Sequence, residues 1–268
     1  IEPTGVVPYL YFRTPTNFEE DVWIEAAEWR AGNSKVLHHI VMFYEDPNFV
    51  ADPRDAALGP ISGRGFLGGY APGSRPVVHR EGVATRIPAG ATLVWQMHYT
   101  PTGKEERDRS QFGIRFAEGP VVHEYEHAAP ANFSFSIPPG DDNHRVESEL
   151  TFPDDVLLYS MSPHMHLRGK SFTYAAVYPD GKEQLLLSVP RYDFNWQTTY
   201  VLDVPIELPA GSKIRCVAHY DNSSGNPYNP DPTKTVTWGD QTWEEMMVGF
   251  LSFTWEHDVR GQSLEETD

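Results

Sequence analysis

The chain has 268 residues, with 38 acidic against 21 basic side chains, and its formal charge of −17 opposes the phosphate neutralisation on which nucleic-acid binding depends. Anionic membrane surfaces are disfavoured for the same reason, and no apolar run approaches the roughly 20 residues of a membrane-spanning helix. One cysteine, Cys216, excludes an intrachain disulfide and a cysteine-rich zinc site, so a metal would need other ligands, for which there are 11 histidines.

The 21 glycines, 23 prolines and 13% aromatic residues predict many short strands joined by turns, and stretches of helical period are hard to find. In chain order, extended patterns occupy Lys35–Tyr44, Ala91–Tyr99, Ser148–Phe152, Ser171–Tyr178, Lys213–Tyr220 and Met246–Trp255. Pro138-Pro139-Gly140, Pro179-Asp180-Gly181 and Asn222-Ser223-Ser224-Gly225 mark reversals between them. The fold class expected is all-β. The chain begins at Ile1 rather than methionine, which suggests a processed protein or an excised domain.

The first of these runs contains His38-His39. Adjacent strand residues point to opposite faces, so both can serve one ion only where the strand is bent or bulged; otherwise one is a core and one a surface histidine. The second run ends in Gln96-Met97-His98-Tyr99, and a third imidazole there would complete a three-histidine set. This run is also half of a repeat. The segment from Ile87 to Tyr99 aligns without a gap on Leu208 to Tyr220, sharing Pro-Ala-Gly and the final His-Tyr, and the histidine pair at 38 and 39 is answered by the pair at 164 and 166. Two copies of one β unit are expected, with Glu118–Asn143 as connector.

In the second half, Ser162-Pro163-His164-Met165-His166-Leu167-Arg168-Gly169 carries a His-x-His. On a strand this spacing projects both imidazoles from one face, a donor set suited to copper, zinc, nickel or iron. Near the end, Glu244-Glu245-Met246-Met247 offers thioethers, which with two imidazoles form a soft set favouring Cu(I). His79, His123, His127, His144 and His257 stand in polar or loop-like contexts and are expected at the surface. The Asn222–Pro232 segment reads as a rigid Pro/Asn loop, with Ca²⁺ as the other use of such oxygens, and Cys216 as inert core.

Taken together, His-His, Gln-x-His-Tyr, His-x-His with a glycine three residues on, and Glu-Glu-Met, in this order across nearly the whole chain, resemble the copper type II, ascorbate-dependent monooxygenase family. Pro163–Lys170, Asp193-Phe194-Asn195-Trp196-Gln197 and Tyr220–Pro232 are similar to a bacterial branch of it. The resemblance implies two tandem jelly-roll-like β-sandwich domains facing across a cleft, here 1–128 and 129–268, each with one copper. It implies that His38, His39 and His98 hold an electron-storing copper, and His164, His166 and Met246 the copper that meets O₂. By the repeat alone, His219 would replace Met246; Met247 is the neighbouring thioether.

The expected activity is hydroxylation of a C–H bond with O₂ and an external reductant, either ascorbate or a cytochrome c-like donor that can lie on the same full-length chain, in a periplasmic or extracellular setting. Where the family's peptide hydroxylase holds its substrate with Arg, Asn and Tyr, this chain has Ser162, Val248 and Phe250, which implies a more apolar small organic substrate. The alternatives are a periplasmic copper-binding or electron-transfer module without hydroxylase activity, and a single-zinc β-sandwich.

Overall fold

The computed structural model describes residues 1–256 apart from residue 6, residues 50–53 and residues 55–64; His257 lies outside the described residues. Among the described residues there is no helix, as the all-β expectation requires. Strands β1 (Leu10–Pro15), β2 (Val22–Arg30), β3 (Leu37–Glu45), β4 (Phe66–Tyr70), β5 (Val77–Val78), β6 (Val83–Ile87), β7 (Thr92–Tyr99), β8 (Gln111–Phe116) and β9 (His123–Glu124) form a first group. The second comprises β10 (Glu126–Ala128), β11 (Ser136–Ile137), β12 (His144–Thr151), β13 (Val156–His164), β14 (Gly169–Val177), β15 (Glu183–Val189), β16 (Tyr200–Leu208), β17 (Lys213–Tyr220), β18 (Val236–Thr237) and β19 (Val248–Trp255).

The sheets repeat. In the first group one sheet runs β1-β7-β3-β4, and β2 is flanked by β8 and β6; in the second, one sheet runs β12-β17-β14-β15, and β13 is flanked by β19 and β16. Sheet order therefore equates β2 with β13, β3 with β14, β6 with β16 and β7 with β17. The repeated Pro-Ala-Gly forms the same turn in both places, with Gly90 and Gly211 at φ of 67° and 84°, a region closed to most side chains. Each turn is also held by an aspartate just before the equivalent strand: Asp21 accepts from the Ala89 N–H at 2.9 Å and Asp155 from Ala210 at 2.6 Å. No sequence alignment at the offset of the turn would match those two aspartates.

Each group has its own buried core between its two sheets. Ile24, Trp29, Leu37, Ile40, Met42, Ile87 and Met97 fill the first. Phe152, Leu158, Phe172, Tyr174, Cys216, Phe253 and Trp255 are among those filling the second, where truncating one such ring typically costs about 3–5 kcal/mol. Strand β17 alternates buried and half-buried residues with period two, as a strand with one face on a core must. Strand β19 is buried on both faces except at Phe250, because its outer face meets the first group.

The segment 118–143 is no mere connector. Strand β9 pairs with β6 and β10 with β19, so the chain crosses from one group to the other between Glu124 and Glu126, and Ala128 and Ala129 are fully buried.

Candidate metal centres

His39 and His98 face each other across the β3–β7 ladder, and a register shift between Leu37 and His39 turns His38 toward them. This is the bulge that two adjacent histidines need. The three rings lie 4.7–5.3 Å apart, their ligand nitrogens all within 4.8 Å. His38 Nδ1 and His39 Nδ1 approach to 3.1 Å, and His98 Nδ1 is buried with no hydrogen-bond partner. Burial, then the neighbouring rings, pushes His98 down to about 4 and His39 well below its ordinary value; burial lowers His38 as well. Three neutral imidazoles with an unused buried nitrogen fit a borderline-soft cation, because a bound ion would supply the missing partner. Tyr9 covers the cluster, its ring 4.7 Å from His98, and donates its hydroxyl to the Asp240 carbonyl of the second group at 3.1 Å.

His164 ends β13, whereas His166 lies in the turn that follows, so the pair does not project from one face of a strand as the spacing predicts. The rings meet edge to face at 5.3 Å. Met165 between them is fully buried in the core, and the Tyr192 hydroxyl clamps its backbone, accepting from Met165 N–H at 3.0 Å and donating to its carbonyl at 2.7 Å. A Cβ on Gly169 would come within 2.7 Å of the Tyr192 ring, which explains the glycine three residues after His166.

Both Nδ1 atoms face acceptors: Gln197 Oε1 at 2.7 Å from His164 and the Glu244 carbonyl at 3.2 Å from His166. Each Nδ1 therefore carries the proton, leaving each Nε2 lone pair for a cation. Gln197 is oriented in turn by donating its Nε2 to the Phe194 carbonyl at 3.0 Å. Burial first, then neighbouring charge, pushes His166 down to about 3, and burial lowers His164. Replacing Gln197 by leucine should weaken copper binding at this pair by roughly 10- to 100-fold, read by competition titration with the three-histidine cluster as internal control. An unchanged affinity would show that the Gln197 bond does not set the tautomer.

The segment before β19 is pinned beside His166. The buried Glu245 carboxyl oxygens accept from His166 N–H at 2.8 Å and Arg168 N–H at 2.6 Å, while the Tyr220 hydroxyl donates to the Met246 carbonyl at 2.8 Å. Val248 is the cross-strand partner of His164, and alternation puts Phe250 on the same side, its ring 6.3 Å from His164; Met246, half-buried, lies two residues before the strand. Met247 is fully buried in the core, its sulfur accepting from the Ser148 hydroxyl at 3.3 Å. His219 does not belong to this set. It lies on β17, in the other sheet, among the residues of that strand that face away from the core, and its Nδ1 meets Ser171 at 3.2 Å.

The two histidine sets face each other. Phe194 stacks on His38 at 4.9 Å with ring planes 18° apart, and its edge meets His166 at 6.1 Å. Phe66 stacks on Phe250 at 5.5 Å, and the Arg80 guanidinium binds the backbone carbonyls of Leu202 and Asp203. Phe194, Gln197, Tyr192, Glu245 and Tyr9 were not marked as site residues by sequence; the motif 193–197 was the available signal, with no role attached. His79 and His127 are not surface residues: burial pushes them down to about 4 and about 3, and they sandwich Tyr125 at 4.2 and 5.4 Å between the two groups.

No family model matches the chain, and no curated protein matches it. Among solved structures, the VP2 subviral particle of infectious bursal disease virus aligns at 10% identity over 89% of this chain and 58% of that chain, with a TM-score of 0.27. The Gt strain of the same virus aligns at 10% identity over 89% of this chain and 57% of that one, with a TM-score of 0.22. The chain thus spans less than two thirds of either of those chains.

Proposed function

We propose that the chain is a dicopper monooxygenase built from two tandem jelly-roll-like β-sandwich domains, approximately 1–128 and 129–268, of the copper type II, ascorbate-dependent kind. The observation that carries this reading is the neutral His38/His39/His98 cluster, half-buried at the first two and buried at the third, with its unpartnered His98 nitrogen, facing a second neutral pair, His164 and His166; Met246 completes that pair by the resemblance. Copper held by these residues would supply one-electron redox cycling and reduction of O₂, in the overall reaction R–H + O₂ + 2e⁻ + 2H⁺ → R–OH + H₂O.

The chain's own contribution is electrostatic and positional. Burial keeps all five imidazoles in the ligand form at neutral pH, and the Gln197 and Glu244 oxygens hold the Nδ1 protons of the second pair. Phe250, half-buried on the His164 side, offers apolar surface to a small organic substrate, and neither it nor the buried Val248 supplies a charge to anchor a peptide carboxylate. The two electrons come from ascorbate or a cytochrome c-like donor, in a periplasmic or extracellular location. Copper-loaded protein should consume O₂ and form a hydroxylated product with such a reductant, and His164→Ala should abolish the product. Reoxidation with no organic product across a broad apolar substrate panel would favour an electron-transfer module; one zinc per chain and no copper would overturn both.

The depressed histidines also set a pH dependence for the metal-free protein. In the unfolded chain they take protons as pH falls through 6.5, while in the folded chain His98 and His79 resist to about 4 and His166 and His127 to about 3. Their stability contribution is complete above pH 6.5 and is lost progressively as pH falls toward 4. Glu245, pushed up to about 8, works in the opposite sense and makes Tm rise slightly from pH 8 to 7, but the four histidines outweigh one carboxyl, so Tm should decline between 6.5 and 5, before most carboxylates titrate. A Tm constant through that window would mean these rings are not held neutral.

A further inference from the structure

One loop touches both histidine sets. Tyr192 clamps Met165 between the paired histidines, Gln197 holds His164 Nδ1, and Phe194 lies between His166 and His38. Trp196 reaches the first group, since a Cβ on Gly73 would stand 3.3 Å from its ring. The loop is braced internally: Asp193 Oδ1 accepts from Asn195 N–H at 2.8 Å and the Asp193 carbonyl from Trp196 N–H at 2.9 Å. A displacement of Phe194 is therefore passed to Gln197 and Tyr192 rather than absorbed between them.

We propose that Phe194 is a positioning residue that couples the two sets, so that an ion at His38, His39 and His98 preorganises His164 and His166 for theirs. This rests on the metal-binding reading above. Without an ion, the His38 ring is held only by its 3.1 Å contact with His39 and by its stacking on Phe194, restraints weaker than a metal bond. A bound ion fixes the His38 ring, the stacked Phe194 is fixed with it, and the ordering cost of the Gln197 and Tyr192 contacts is met before the second ion arrives. Direct repulsion between two cations works in the opposite direction, so the sign of the coupling separates the two effects. Coupling is reciprocal, which allows either set to serve as the reporter.

The test is a double-mutant cycle on the full chain, with Cu(II) in a competing glycine buffer as the probe and the ion at each set identified by its electron paramagnetic resonance pattern. In the wild-type background His98→Ala, which disables the first set, should weaken the second by about fivefold or more, the lower end of common allosteric couplings. In the Phe194→Ala background the same change should leave the second set unaltered or slightly tighter. Phe194→Tyr, which keeps the stacking face, should restore the wild-type response; a purely structural loss of the loop would weaken the second set in Phe194→Ala whatever the state of the first. Equal effects of His98→Ala in both backgrounds, or no effect in the wild type, would overturn the coupling while leaving two copper sites standing. Failure of wild-type protein to bind copper at either set would overturn both proposals.

Discussion

His39→Gln should reduce copper binding from two ions per chain to one and remove reductant-dependent hydroxylation. His39 lies 4.7 Å from His98 and 5.3 Å from His38, and it faces His98 directly in the ladder. Glutamine keeps a polar side chain of similar reach but replaces an imidazole nitrogen by an amide, a much poorer donor for a borderline-soft cation. Because an outer-shell partner is commonly worth 10- to 100-fold, loss of a direct ligand should cost more than about 100-fold in affinity. A ligand present at 100 times its dissociation constant stabilises the folded chain by about 2.7 kcal/mol, so the variant should also lose a copper-induced rise of roughly 5–10 °C in Tm. The measurement is metal analysis after desalting, with thermal melts in the presence and absence of copper. Two ions retained per chain, or an undiminished thermal shift, would refute the assignment of this cluster.

The second large effect is expected at Arg168, which is only 2% exposed. Its Nε donates to Asn222 Oδ1 at 2.9 Å and its Nη1 to the Trp243 carbonyl at 2.9 Å, and its charge faces the buried Glu245 carboxyl. Glu245 is itself pushed up to about 8 by burial, a push that the His166 and Arg168 N–H bonds and the Arg168 charge only partly offset. Arg168→Met keeps much of the volume but leaves Glu245, Asn222 and the Trp243 carbonyl facing an apolar chain. Removing the guanidinium leaves two buried acceptors, Asn222 Oδ1 and the Trp243 carbonyl, short of a donor at about 1–3 kcal/mol each, so Tm should fall by on the order of 10 °C. The Trp243–Met246 segment loses its anchor at the same time, so the residual folded protein should bind copper more weakly at His164 and His166. A variant with wild-type Tm would show that the network contributes no net stability, and wild-type copper affinity would show that it does not position Met246.

The repeat at 87–99 and 208–220 marks the same turn and following strand in both places, because a turn that needs glycine at positive φ and a strand that needs period-two burial leave local marks. The further match of His38-His39 with His164 and His166 was a coincidence of spacing. By sheet order β3 corresponds to β14, not to the end of β13, so the two histidine sets occupy different positions in the two units. The same displacement disposes of His219: it inherits the strand position of His98, but the strand beside it carries no histidine pair. Sequence identity between the two segments records the turn and strand they share, whereas the histidine sets are brought together by the meeting of the two strand groups, which neither segment contains.

Histidines 79 and 127 show the complementary failure. Their neighbours in sequence, Arg80 and Glu81 on one side and Glu124 and Glu126 on the other, are polar, so a local reading puts them at the surface. Burial comes instead from the meeting of β10 with β19 and of Phe66 with Phe250 and His127, contacts more than a hundred residues apart in the chain for all but Phe66 and His127.

By itself the sequence determined the all-β class, the turns, the repeated strand, the exclusion of disulfides and cysteine-rich metal sites, and the three histidines His38, His39 and His98 as a potential set. Each of these follows from local chemistry: alternation, glycine's access to positive φ, the count of thiols, and two adjacent imidazoles followed by a third. Only the tertiary structure decided that β3 bulges so that both imidazoles converge, that Met247 is spent in the core and His219 lies in the other sheet, and that the loop 192–197 stands between the two sets. Those outcomes depend on which strands become neighbours and which faces two separate cores leave outward, and these are properties of the packed chain that no local stretch of residues encodes.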